Sequence, residues 1–301
     1  MTNSASHGPL YTIFFLSYFI RTFITCIALE KIIQAFAVDQ LLVHYAVACA
    51  VTLIGSCALV VTPKIGPRFA FGLVHALILC AAVATLWIQD ALVQSQIIFY
   101  TALGFGLLVY VTNWHLASFA VSPFQAPRVF KKLSKLNLGG MLAGAILAMN
   151  YSQHSMEHIA FPLWAGIEGI LLLTCYFGTK TPTTGLEPHQ LNILTPIRET
   201  IQVAYKRYFF LRKLIVWLFC WGFIYIMLHV QVAEQFAERT TSLASLYGAL
   251  VLATTALSSF WTVFLYPTFV RWYRLGGMLT VCSVIATVLV IGYSGFPIFS
   301  L

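Results

Sequence analysis

Charge is what this chain has least of. Only 9% of its 301 residues are Asp, Glu, Lys or Arg, and 60% are hydrophobic, whereas soluble domains carry roughly 25% charged residues. Mean hydropathy is +0.86. No polar stretch is long enough for a soluble domain; the longest, about 178–212, has only the length of a linker. Catalytic apparatus is missing as well, since no nucleophile, acid–base dyad or reactive cluster stands out, and enzyme function is not expected. The seven cysteines (Cys26, Cys49, Cys57, Cys80, Cys175, Cys220 and Cys282) contain no C-x-x-C pair, and no Cys/His group has zinc spacing. They read as small packing residues, and neither a metal nor a cofactor is expected. The opening segment has no basic region before its apolar run and no small-residue cleavage site, which excludes a signal peptide and makes it a first span.

Long apolar runs are what the chain has instead. A helix needs about 20 apolar residues to cross a bilayer. Nine segments meet or approach that length, near 10–29, 42–62, 69–88, 97–119, 137–152, 159–177, 213–231, 243–266 and 275–296. Backbone groups in lipid must be satisfied within the segment, so the expected fold is all-α, a polytopic transmembrane helical bundle of about nine spans. The lipid bilayer is its first partner.

The formal charge of +8 suggests nucleic acid as a partner, but the distribution argues against it. Fourteen of the seventeen Lys and Arg residues fall in four short stretches separated by pairs of apolar runs. These are Lys64 and Arg68; Arg128, Lys131, Lys132 and Lys135; Lys180, Arg198, Lys206, Arg207, Arg212 and Lys213; and Arg271 and Arg274. Basic loops stay on the cytoplasmic side, which places the N-terminus of this multi-pass protein inside; a bacterial inner membrane is the expected location. Asp39, Asp90, Glu157, Glu234 and Glu238 fall in or near the expected outer loops. Three regions follow: a six-helix half at 1–178, a basic cytoplasmic linker at 179–212, and a partial second half of three helices at 213–301. Within and just beyond the linker, 195–213 places Ile197, Ile201, Ala204, Tyr205 and Phe209 at helical spacing behind Pro196, the pattern of an amphipathic surface helix.

Six helices, a basic linker and further helices resemble the plan of the major facilitator superfamily, whose two halves are related by an axis along the membrane normal. Thr62-Pro-Lys-Ile-Gly-Pro-Arg68 is similar to that family's basic glycine turn, and Tyr273-Arg-Leu-Gly-Gly277 stands at the corresponding place in the second half. The stretch Trp114–Leu147, with Ala126, Arg128 and Phe130 followed by Gly139, Gly140 and Gly144, resembles the ATP/ADP translocase-like branch, as does Tyr18-Phe-Ile-Arg-Thr22. That branch follows its arginine with a Lys-Asp pair, where this chain has Ile24 and Thr25. The resemblance implies a secondary transporter of a small polar or anionic solute, nucleotide-like or phosphorylated solutes included. A complete member would continue for three more helices, so the second half reads as truncated. The alternative is a transport-inactive, truncated transporter-like protein serving as an interaction or regulatory partner.

Charged groups inside spans are the best candidates for solute contact, because burying one costs about 2.5–3.5 kcal/mol even on insertion scales. Arg21 lies in the middle of the first span with Tyr18 and Thr25 on its face, placed to hold a phosphate or carboxylate. It can equally form a structural pair with Glu30 or Glu168. Glu168, in the sixth span, is a candidate for a coupling proton or for that pairing. Asn113 and His115 stand beside Tyr110 and Trp114, a composition suited to stacking on a flat solute or to hydrogen bonds between helices. His75 and His229 read as core histidines, Glu30 and Lys31 as the outer boundary of the first span. Gly140 and Gly144 form a small-xxx-small pair for close helix packing.

Overall fold

The computed structural model describes residues 7–36, 40–60, 66–151, 157–179 and 243–260, all helices and the turns that join them, with no strand among them. The chain divides into two compact units, and the described helices, up to residue 256, belong to the first. The expected spans 213–231 and 275–296, the linker helix at 195–213 and most of the two basic glycine turns lie outside the described residues. Of the first turn Gly66 is described. Its φ of +86° is a backbone conformation that glycine adopts at no steric cost, and Pro67 opens the next helix directly after it.

The described residues form eight α-helices in chain order: α1 (Gly8–Ala35), α2 (Leu41–Val60), α3 (Pro67–Trp87), α4 (Ala91–Phe99), α5 (Gly106–Ala120), α6 (Ala126–Met149), α7 (Glu157–Leu173) and α8 (Leu243–Phe260). A π-helical turn, Tyr100–Gly104, joins α4 to α5, and another, Thr174–Gly178, ends α7. Among the described residues, three helices are long and apolar enough to cross a membrane: Gly8–Ala35, Pro67–Trp87 and His158–Gly178. They become four if Ala91–Gly104 and Gly106–Ala120, bent by 40°, form one broken span. The side chains are distributed as lipid requires. Ile54 is 70% and Trp87 81% exposed on the outside, while His75, Asn113 and Glu168 are buried between helices. This is consistent with a membrane protein.

Two boundaries differ from expectation. The fourth span was expected as one helix over 97–119; it begins at Ala91, where Asp90 caps the backbone N–H groups of Leu92 and Val93, and it breaks at Phe105. The break has local causes. Thr52 donates a hydrogen bond of 2.8 Å to the Gly104 carbonyl, which draws that backbone toward α2, and π-helical turns are a common origin of kinks. The fifth span was expected at 137–152 behind a basic loop, yet α6 already starts at Ala126. Arg128, Lys131, Lys132 and Lys135 occupy its exposed face while Val129 and Leu133 are buried. Lys132 also sits 4.1 Å from the centroid of the Tyr11 ring, a cation–π contact that draws α6 toward the start of α1. Residues read as loop charges are therefore the polar side of an amphipathic first half.

α1 is the axis of the assembly, buried along most of its length and packed most extensively against α6. Gly140 and Gly144 are the reason. A methyl group at Gly140 would strike the Phe15 carbonyl, and one at Gly144 the Phe19 carbonyl, so the backbones touch where side chains would normally intervene. Further along α6, Gly248 of α8 lies against the backbone at Ala145 and Met149.

Gly144→Ala is expected to destabilise the protein by about 1–3 kcal/mol through overpacking. Gly72→Ala, where an added methyl meets open space, should be neutral or stabilising by up to about 1 kcal/mol through helix propensity. Thermal unfolding in detergent reads both; equal shifts would contradict the close backbone contact.

Candidate functional site

Four helical elements leave a cleft between them, and three ionisable side chains line it. Arg21 comes from α1, His75 from α3 and Glu168 from α7, while the broken region between α4 and α5 supplies Thr101, Phe105 and Gly106. The space is small. About 20 Å³ is open to the centre of a water-sized sphere, room for one or two waters, within a cleft of about 330 Å³ counted out to its mouth.

His75 Nδ1 and Glu168 Oε2 stand 2.6 Å apart, with both side chains almost wholly buried. The contact is a hydrogen bond between the imidazole and the carboxyl group, joining α3 to α7. Phe71 stacks one turn before His75, ring centroids 4.1 Å apart, and fixes the imidazole plane. The other ring nitrogen, Nε2, is buried with no hydrogen-bond partner among the described residues.

Arg21 owes its place to the helix break. A methyl group at Gly106 would lie 2.5 Å from a terminal guanidinium nitrogen, so the guanidinium rests directly on the α5 backbone. No other residue type at 106 leaves that room. Ser17, one turn before Arg21 on the same face, also borders the cleft, and its hydroxyl has no partner among the described residues.

Of the residues expected to contact solute, Arg21 and Glu168 lie on one cleft. Asn113 shares the α5 face of Gly106 and Val109 one turn further on; it is fully buried, and neither polar atom of its amide has a partner among the described residues. His115 lies outside the cleft lining, packed on Phe119 with ring centroids 4.9 Å apart. His75 and Gly106 are the site residues that sequence reading undervalued. A lone histidine in an apolar helix resembles a core residue, and its partner is 93 positions away. The signal for Gly106 was the Gly104-x-Gly106 pair inside an apolar run.

Glu30 differs from its expected role at a membrane boundary. It is completely buried and accepts a hydrogen bond from the Ala244 backbone N–H at the first turn of α8. A carboxylate there satisfies an orphan donor and complements the positive end of the helix dipole. Among the described residues no group of three or more His, Cys, Asp or Glu side chains has metal-binding geometry.

No family model, curated protein or solved structure matches the chain.

His75→Ala is expected to cost about 1–3 kcal/mol, because it strands the buried Glu168 carboxyl without its partner. The double variant His75→Ala/Glu168→Ala should cost less than the sum of the single changes. A double-mutant cycle on unfolding in detergent measures this, and strict additivity would show that the pair is not coupled.

Proposed function

We propose that the protein is a secondary membrane transporter of a small anionic solute, with Arg21 as the counter-charge. The observation that carries this reading is the meeting of Arg21, His75 and Glu168 in one cleft beside a broken helix. Charged groups within membrane spans are costly and mark solute or ion pathways. Discontinuous helices recur at the midplane sites of secondary transporters, where the two sides of a bundle rock against each other. The break supplies glycine backbone against which the guanidinium lies, and a guanidinium's planar fork suits a carboxylate or phosphate.

Cleft size narrows the solute. Room for one or two waters accommodates the charged end of a ligand, such as one carboxylate or phosphate group, but not a nucleotide. A nucleotide-like solute would lodge its phosphate here and need a more open state for the rest. Asn113, one turn along α5, is placed to meet the uncharged part of such a solute. The resemblance to the major facilitator superfamily and its ATP/ADP translocase-like branch agrees with this reading, as do the bases on the exposed face of α6, which fit a cytoplasmic membrane boundary and an inside N-terminus. An inner bacterial membrane is the setting we propose.

Uptake of radiolabelled small carboxylates and phosphates into proteoliposomes tests the proposal. We expect accumulation of at least one solute by the wild type and a loss of at least about tenfold in both Arg21→Ala and Gly106→Ala. Folded wild-type protein that moves nothing across the panel would instead favour a transport-inactive interaction partner.

A further inference from the structure

We propose that the first half of α6 is a binding face for anionic phospholipid, with Arg128, Lys131 and Lys135 taking the lipid phosphate and Phe124 anchoring in the headgroup layer. The proposal goes beyond the transport reading and does not depend on it. It requires only that the bundle sits in a bilayer.

The charge on this face has no answer within the described protein. Arg128, Lys131 and Lys135 are exposed, and none forms a hydrogen bond or ion pair among the described residues. Their neighbour Lys132 is already engaged by the Tyr11 ring. No Asp or Glu stands between Asp90 and Glu157, so the surrounding chain offers no acid. Positions i, i+3 and i+7 gather the three cations on one side of the helix, away from the buried Val129 and Leu133. Three like charges held this way repel one another and favour an anion between them.

A face of bases in water would need no such partner, but the length of α6 places these at the lipid. The helix is not among those long and apolar enough to cross a membrane. Its apolar part, 136–149, covers about 21 Å of a hydrocarbon core about 30 Å thick. Along the axis from Met149, Lys135 stands about 21 Å away, Lys131 about 27 Å and Arg128 about 32 Å. The three therefore bracket the far edge of the core. Their long side chains reach the phosphate layer from there by snorkelling.

The turn before α6 adds an apolar anchor on the same side of the membrane. Phe124 is 97% exposed, yet the turn that carries it is well tied. The backbone N–H groups of Gln125 and Ala126 both donate to the Ser122 carbonyl at 3.0 Å, and the Gln125 side chain meets His7 at 3.2 Å. An aromatic ring held outward beside exposed bases is the composition of an interfacial membrane contact. The bases select the headgroup, because a zwitterionic lipid brings a cation of its own while an anionic one does not. The ring makes no such distinction.

Native mass spectrometry of the purified protein tests this, with phosphatidylglycerol and phosphatidylcholine of identical acyl chains titrated in detergent. We expect the wild type to bind phosphatidylglycerol at least about tenfold more tightly, as several bases near an anionic headgroup predict. The variant Arg128→Gln/Lys131→Gln/Lys135→Gln should lose that preference. Phe124→Ser should weaken both lipids by about three- to tenfold and keep the preference. A linker variant with the same loss of charge, Arg198→Gln/Lys206→Gln/Arg207→Gln, should also keep it. Equal affinity of the wild type for the two lipids would overturn the proposal, and so would a preference that survives in the α6 variant. A preference lost equally in the linker variant would show a general effect of net charge and overturn it too. Displacement of phosphatidylglycerol by excess inorganic phosphate would mark a site for soluble anions instead. All substituted α6 positions are exposed, where such changes usually cost less than about 0.5 kcal/mol of stability, so the variants are expected to fold.

Discussion

Direct contact between the backbones of α1 and α6 is the constraint on which the rest of the bundle depends. In lipid, apolar side chains gain little by leaving one apolar environment for another, so helix association relies on close packing and internal polar contacts. Gly140 and Gly144 remove the side chains that would hold the two axes apart. Because α6 reaches α1 so closely, α1 is enclosed along most of its length, and Phe14, Phe23, Ile27 and Ile32 are almost fully buried. Only a helix surrounded in this way can hold an arginine in its middle facing protein rather than lipid.

The same device recurs at the cleft with a different purpose. Gly106 brings the α5 backbone close to Arg21, but there the missing side chain admits a guanidinium instead of another helix. The bend at Phe105 turns α5 relative to α4 and opens the wall on which Thr101 and Gly106 stand. On α2, Thr52 holds the broken backbone by its bond to Gly104, and His44 reaches Tyr100 at 2.6 Å. The kink is thus fastened from one side and used from the other.

Much of this was legible in the sequence because hydropathy and length determine where helices can exist in lipid. The runs at 10–29, 69–88 and 159–177 correspond to helices of the bundle, the first extended by six residues to Ala35. What misled was local. Arg128 to Lys135 read as a loop because positive charge marks membrane boundaries, whereas the alternation of those bases with Val129 and Leu133 is helical. The intramembrane charges Arg21 and Glu168 were visible as anomalies of composition. That they share a cleft with His75 was not, since sequence spacing says nothing about which faces of α1, α3 and α7 converge. Glu30 was misjudged for a related reason: an acid near the end of an apolar run looks like a boundary until the helix it caps is known.

That last contact has a consequence for how the protein is made. Glu30 and the backbone N–H it accepts from, at Ala244, are 214 positions apart in the chain. At roughly 5–20 residues per second, the ribosome needs on the order of ten to forty seconds to supply the second after the first. Throughout that interval the N-terminal helices can insert and pack, but the carboxylate of Glu30 lacks the donor that it has in the finished protein. The contact that ties the C-terminal part of α1 to the start of α8 can therefore form only after most of the chain has been made.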